Sequence, residues 1–253
     1  MKKVVTISAL MLLIAGVASA ANLGTSGSTA PQQGSYTPPL VPVTITQNLD
    51  TTTILSGNSV SCNNGVSHTD NAYLRRFDLF VDHAITDVFS VMSVDWAVEI
   101  SRTALNPNPQ PADVNLYSIP WDAAFTYANM TMVGTATALI AVDGTMDGMP
   151  VNTVVAGSVT STAASAQVDH LVVEIFTPDG DVDGYAMWIG SNDGGEIEDS
   201  YLVAVDCGIS EPTAVGAIGF PTMHVIMMVN GDTDAPPTPT EETHWGTLKS
   251  LYQ

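Results

Sequence analysis

An all-β chain folded as a two-sheet sandwich, jelly-roll-like in its connections, is what this sequence predicts, and three observations carry the prediction. Short runs of alternating apolar and polar residues follow one another from Val41 onward, the period-two signature of strands with one face buried. Turn-forming clusters punctuate them: NPNPQP at 106–111, DGTMDG at 143–148, PDGDVDG at 178–184 and SNDGG at 191–195. Each offers Gly, Pro, Asn or Asp where a chain must reverse. No stretch before the last dozen residues holds a 3.6-residue apolar period, so helices would have no face to bury. About ten or eleven strands in one unit favour two packed sheets, most simply a jelly roll.

In chain order, VTIT (43–46) and SVSC (59–62) are short β-branched or small-residue alternations. AYLRRFDLF (72–80) sends Tyr73, Arg75, Phe77 and Leu79 to one face and Leu74, Arg76, Asp78 and Phe80 to the other. VFSVMSVDWAVEIS (88–101) is the longest run, with Trp96 on the parity of Val94 and Val98 and hence directed to the core. DVNLYSI (113–119), MVGTATALIAV (132–142), VVAGSVT (154–160), HLVVEIF (170–176), YAMWI (185–189), YLVAV (201–205) and MHVIMMV (223–229) complete the set.

The flanks read differently. Lys2 and Lys3, an apolar run at 9–17 and the small-x-small triplet Ala18-Ser19-Ala20 predict a secretory signal over 1–20. Residues 21–40 are rich in Gly, Ser, Thr, Pro and Gln and predict a disordered leader. The sandwich domain is expected over 41–231, followed by an acidic, Pro-rich extension over 232–253. In its WGTLKSLYQ end, Trp245, Leu248 and Leu251 or Tyr252 fall at helical spacing, which predicts a short C-terminal helix or an exposed sorting tag. No second apolar run of about 20 residues follows the signal, so the exported chain is expected to carry no transmembrane segment.

Charge restricts the partners. The whole chain has a formal net charge of −20. Loss of the signal leaves Arg75, Arg76, Arg102 and Lys249 against 26 acids, a formal −22. Such a surface repels nucleic acid and anionic lipid. Cys62 and Cys207 are the two cysteines. In an exported chain they admit one pairing, which ties 62–207 into one domain, whereas a redox role lacks CxxC spacing.

Several separated motifs carry a resemblance. Cys62, then Asn71-x-Tyr73-x-Arg75-x-Phe77-Asp78-Leu79, VNLY (114–117), LVVEIFTPDG (171–180), WIGSN (188–192), CGI (207–209) and GFPTMHVIMMVNG (219–231) together resemble a β-sandwich module of secreted bacterial proteins. Those proteins often carry C-terminal sorting tags and sometimes hydrolase domains, and WGTLKSLY is similar to chain ends of surface-associated bacterial proteins. The resemblance covers most of 59–231. It implies the sandwich fold and a secreted or cell-surface location, and it brings no activity or catalytic residue with it.

Candidate sites follow from residue chemistry. Asp179, Asp181 and Asp183 alternate before Gly184, and alternate carboxylates in a tight loop can wrap one Ca²⁺. Gly190 stands where an EF-hand would need a bidentate Glu, so a looser site would borrow Asp193 or Glu196; a solvated acidic turn is the competing reading. Val-Asp-His occurs at 81–83 and 168–170, and His224 lies in the last strand. Zinc would require His83, His170 and His224 to converge without any HxH or HExxH spacing, which favours structural roles. Trp121, beyond Pro120, is expected to be exposed and is the candidate platform for a sugar ring. Arg75, on a face with Tyr73, Phe77 and Leu79, is expected to be a buried ion-pair hub, with Arg76 a more exposed partner for surface acids.

The leading functional reading is a non-catalytic secreted or cell-surface module, binding a glycan or another surface protein in adhesion or matrix assembly. An extracellular hydrolase is one alternative: no GxSxG elbow is present, but paired acids would suffice. The other is a structural subunit that polymerises through an edge strand or the leader.

Overall fold

The protein is described by a computed structural model at residues 40–142, 149–162 and 167–234. The signal, the leader up to 39, the DGTMDG turn and the WGTLKSLYQ helix or tag lie outside the described residues. In chain order the first eight strands are β1 (Leu40–Thr46), β2 (Asn71–Phe77), β3 (Phe89–Thr103), β4 (Gln110–Ile119), β5 (Thr131–Ile140), β6 (Met149–Val159), β7 (Ser161–Thr162) and β8 (Gln167–Val168). The rest are β9 (His170–Thr177), β10 (Tyr185–Ile189), β11 (Ser191–Asn192), β12 (Ser200–Ala204), β13 (Ile209–Ala214), β14 (His224–Val225) and β15 (Met227–Asp234). Helical structure among the described residues is limited to 3₁₀ turns at Tyr127–Asn129, Val205–Cys207 and Val215–Ile218.

The long strands form two antiparallel sheets. A six-stranded sheet runs β13-β12-β2-β9-β4-β5, and a five-stranded sheet runs β1-β15-β3-β10 with β6 on the other edge of β3. The fold is therefore the all-β two-sheet sandwich that the alternation predicts. Its chain passes from one sheet to the other at most steps, so consecutive strands rarely pair and the contacts are long-range, as in a jelly roll.

The main core lies between the sheets. Tyr73 and Phe77 of β2, Val94, Trp96 and Val98 of β3, and Val173 and Ile175 of β9 meet there. Strands β5 and β6 close one side, where Gly134 and Gly157 let their backbones cross: a Cβ at Gly134 would collide with the Ala156 carbonyl oxygen. Cys62 and Cys207 form a disulfide with a Cα–Cα distance of 6.0 Å and a sequence separation of 145. In the chain-entropy model a loop of that size stabilises the fold by about 5 kcal/mol.

Of the predicted strands, one is lost and one stops short. Residues 59–62 are not a strand, because the Asn71 side chain takes over the backbone groups a ladder would pair. Its Oδ1 accepts the Cys62 N–H at 2.7 Å and its Nδ2 donates to the Cys62 carbonyl at 3.1 Å. The run from Ala72 stops at Phe77 because Asp78 Oδ1 accepts the N–H groups of Phe80 and Val81 and turns the chain. At the outer ends of the sheets, β1 carries Pro42 and β13 carries Pro212, which removes a donor from each edge and opposes further strand addition.

A second apolar cluster covers the outer face of the six-stranded sheet. Ala72, Leu74, Ile119, Val172 and Val203 are buried there under Phe125 and Tyr127. Residues 120–130, which connect β4 to β5, cross that face as a strap: the Phe125 ring packs edge-on against Tyr201 at 4.6 Å, and the Tyr127 N–H donates to Glu211 of β13 at 3.1 Å. This is why β2 and β9 are buried on both faces.

Candidate functional site

The face beneath the strap holds the most developed site. In β9, Leu171, Val173 and Ile175 point into the main core, so Val172, Glu174 and Phe176 point outward. Glu174 is only 4% exposed. Asn115 of β4 stands directly opposite it in the ladder and donates its amide to Glu174 Oε1 at 2.8 Å. Tyr117, two residues along β4, donates its hydroxyl to the same oxygen at 3.2 Å. The strap supplies the third donor, Tyr127, whose hydroxyl reaches Oε2 at 2.5 Å. Burial first, and the neighbouring Glu174 carboxylate second, push both tyrosine hydroxyls upward from their ordinary pKa, so they remain protonated donors.

A cavity of about 330 Å³ opens beside this carboxylate. Asp70, Ala72, Asn115, Tyr127, Glu174, Phe176, Val203 and Val205 line it. The wall thus combines two acids, one amide, two aromatic rings and an aliphatic floor. Such a mixture suits a ligand with an apolar face and several hydroxyl or amine groups.

Sequence reading missed this site, although part of its signal was visible. Glu174 is the lone charge in HLVVEIF, and Asn115 and Tyr117 share the outward parity of VNLYS. Nothing in the sequence places Tyr127 above them, because the strap's path over the sheet is a tertiary feature.

The predicted calcium set is not assembled. Strand β10 separates its two halves, and five extended residues span about 17 Å. On one side Asp181 Oδ1 accepts Ser67 Oγ at 2.5 Å and Asn64 Nδ2 at 2.8 Å, Asp179 Oδ1 accepts the Asp181 N–H, and Asp183 Oδ1 accepts Asn106 Nδ2. These carboxylates stitch neighbouring loops together. On the other side Asp193 is exposed, while Glu196 is taken by Arg75 and Ser200. Among the described residues no three His, Cys, Asp or Glu side chains are placed to hold a metal ion.

The histidines divide in the same way. Burial lowers the pKa of both His83 and His170, while Asp78 and Asp82 act on both rings in the opposite sense. His170 Nε2 lies 3.3 Å from Asp78 Oδ2. His224 is elsewhere, accepting the Gly195 N–H at 2.9 Å. Trp121 is 44% exposed and does not line the Glu174 cavity.

Arg75 is fully buried between the sheets. Its Nη1 pairs with Glu196 Oε2 at 2.9 Å and donates to the Glu198 carbonyl at 2.8 Å, while Nε and Nη2 both donate to the Val225 carbonyl. Desolvation brings its pKa down to about 10, opposed by Glu196, so it stays charged at neutral pH. Arg76 is more exposed than Arg75, as expected, but its partner differs: it stacks over the Phe125 ring at 5.4 Å, with no carboxylate at ion-pair distance among the described residues. Its parity directs it onto the aromatic strap, which offers a ring where open surface would offer acids.

No family model matches the chain, and neither curated proteins nor solved structures match it. Among the described residues, no helix is long and apolar enough to cross a membrane.

Proposed function

We propose that the chain is a non-catalytic, secreted or cell-surface module that binds a glycan in the cavity beside Glu174. One observation carries this reading: a buried carboxylate, an amide and two aromatic rings line one cavity of about 330 Å³. Sugars are recognised by that combination, since their hydroxyls bond to acid and amide oxygens while their C–H faces stack on rings. The volume falls at the lower end of small-molecule sites, which suits one or two sugar units at a chain end. The resemblance to modules of secreted bacterial proteins and the strongly acidic surface are in keeping with an exported binding protein.

A second reading, an extracellular hydrolase, draws on Asp70 and Glu174 lining the same cavity. Its carboxylates are poorly free for proton transfer: Glu174 already accepts three hydrogen bonds, and Asp70 Oδ1 accepts the Asp179 N–H at 2.7 Å. A glycan array followed by calorimetry separates the two. Binding without turnover, lost in Glu174→Gln and Tyr127→Phe and kept in Trp121→Ala, is the expected result. Turnover of a glycoside would establish the hydrolase, and glycan binding lost in Trp121→Ala alone would move the site to that exposed ring.

A further inference from the structure

We infer that the group seated against Glu174 is a cation, the primary ammonium of a de-N-acetylated amino sugar; this rests on the glycan reading above. The starting point is an imbalance of charge. Glu174 is 4% exposed, yet among the described residues every hydrogen bond to it comes from a neutral donor. The Arg–carboxylate ion pair among the described residues, Arg75–Glu196, lies elsewhere. A carboxylate removed from water without a counter-ion is costly, because neutral hydrogen bonds replace its hydration only in part.

The rest of the cavity deepens the imbalance. Asp70 adds a second acid to the wall, and among the described residues no Lys, Arg or His lines it. Arg76 shares the same sheet face but is engaged with Phe125. Tyr127 and Phe176 present rings to the space, and ring faces attract cations. Glu174 Oε2 accepts a single protein hydrogen bond, so it retains a lone pair for a ligand N–H. An ammonium can place its donors on Glu174 and Asp70, while the sugar ring keeps its apolar face for an aromatic. A neutral sugar would meet the hydroxyl acceptors but leave the buried Glu174 charge uncompensated.

The test is calorimetric titration of the full chain at about 150 mM salt, where surface attraction beyond roughly 8 Å is screened. The probes are the glucosamine β-1,4 dimer, its N,N′-diacetyl form, cellobiose and ethanolamine. The expected result is binding of the glucosamine dimer about ten-fold or more tighter than either neutral dimer, with the preference abolished in Glu174→Gln, reduced in Asp70→Asn and unchanged in Asp193→Asn. Circular dichroism melting of each variant confirms that it is folded, and Asp70→Asn, an exposed change, serves if Glu174→Gln fails to fold. Equal or tighter binding of the neutral dimers overturns the cation and leaves the glycan reading standing. Ethanolamine binding as tightly as the glucosamine dimer keeps the cation and removes the glycan. No heat with any probe at millimolar concentration overturns both. A preference equally reduced in Asp193→Asn overturns the assignment to this cavity, since it would report general attraction to an acidic surface.

Discussion

Arg75 and Glu174 are buried charges on adjacent strands of one sheet, one facing inward and the other outward, and they are treated in opposite ways. Arg75 on β2 has a carboxylate partner and three hydrogen bonds to carbonyl oxygens, from the Glu198 and Val225 positions of the surrounding loops. Glu174 on β9 pairs across the ladder with Leu74, the neighbour of Arg75, but among the described residues it has neutral donors and a cavity instead of a counter-ion. A closed, neutralised charge fastens segments together. An uncompensated one beside open space leaves room for the ammonium proposed above. The difference sets a structural charge apart from the charge on which the proposed binding rests.

The largest expected effect breaks the closed half of that comparison. Arg75→Met should lower stability by about 3–5 kcal/mol, because it strands the Glu196 carboxylate and removes the donors to Val225 and Glu198. Denaturant unfolding measures it. Adding Glu196→Gln should recover part of the loss, and an unchanged midpoint in the single variant would show that the pair is not structural. Tyr127→Phe comes next: it deletes one donor to a buried carboxylate and should cost about 1.5–3 kcal/mol, the range for hydrogen bonds to charged groups. Glu174→Gln should be milder, within about 1.5 kcal/mol of the parent, since it also removes a charge that lacks a counter-ion. If Glu174→Gln were as damaging as Arg75→Met, the two positions would be alike and the contrast would fail.

How much of this was legible in the sequence depends on the distance over which each feature is decided. The strands were legible because alternation is local, and the parity of AYLRRFDLF correctly placed Arg75 with Tyr73 and Phe77. Residues 209–214, ISEPTA, were not read as a strand because Pro212 and Glu211 suit only an edge, where solvent replaces half the ladder. The alternate acids at 179–183 were visible, but their distance from Asp193 and Glu196 is set by the extended β10 between them. The site itself combines Asn115, Tyr117 and Glu174 from neighbouring strands with Tyr127 from the strap, so it exists only after the sheet has formed. Its local trace was a single glutamate in an apolar run.

His68 supplies a third kind of buried titratable group and sharpens the comparison through pH. It is 2% exposed and neutral: Nε2 donates to the Pro178 carbonyl at 2.8 Å, and Nδ1 accepts the Met187 N–H at 3.0 Å. The ring thus caps the outer edge of β10, aided by the His68 N–H donating to the Tyr185 carbonyl. A proton added at Nδ1 would point at the Met187 N–H, so protonation must break that bond. Burial lowers the His68 pKa from 6.5, ahead of the opposing effects of Pro178, Asp179, Asp181 and Asp70. Burial likewise lowers His83 and His170. Groups depressed in the folded state bind fewer protons folded than unfolded, so their contribution is complete above 6.5 and is lost as pH falls through the folded values. Glu198 runs the other way, raised from 4.5 chiefly by burial; its contribution is complete below 4.5 and lost as pH rises through its folded value, which offsets part of the loss at the acid end. The melting temperature should therefore be flat between about pH 7 and about pH 9 and decline as pH drops below about 6.5. His68→Asn, which keeps a short acceptor and cannot charge, should flatten that decline. An unaltered slope in the variant would show that the β10 edge does not depend on a neutral ring.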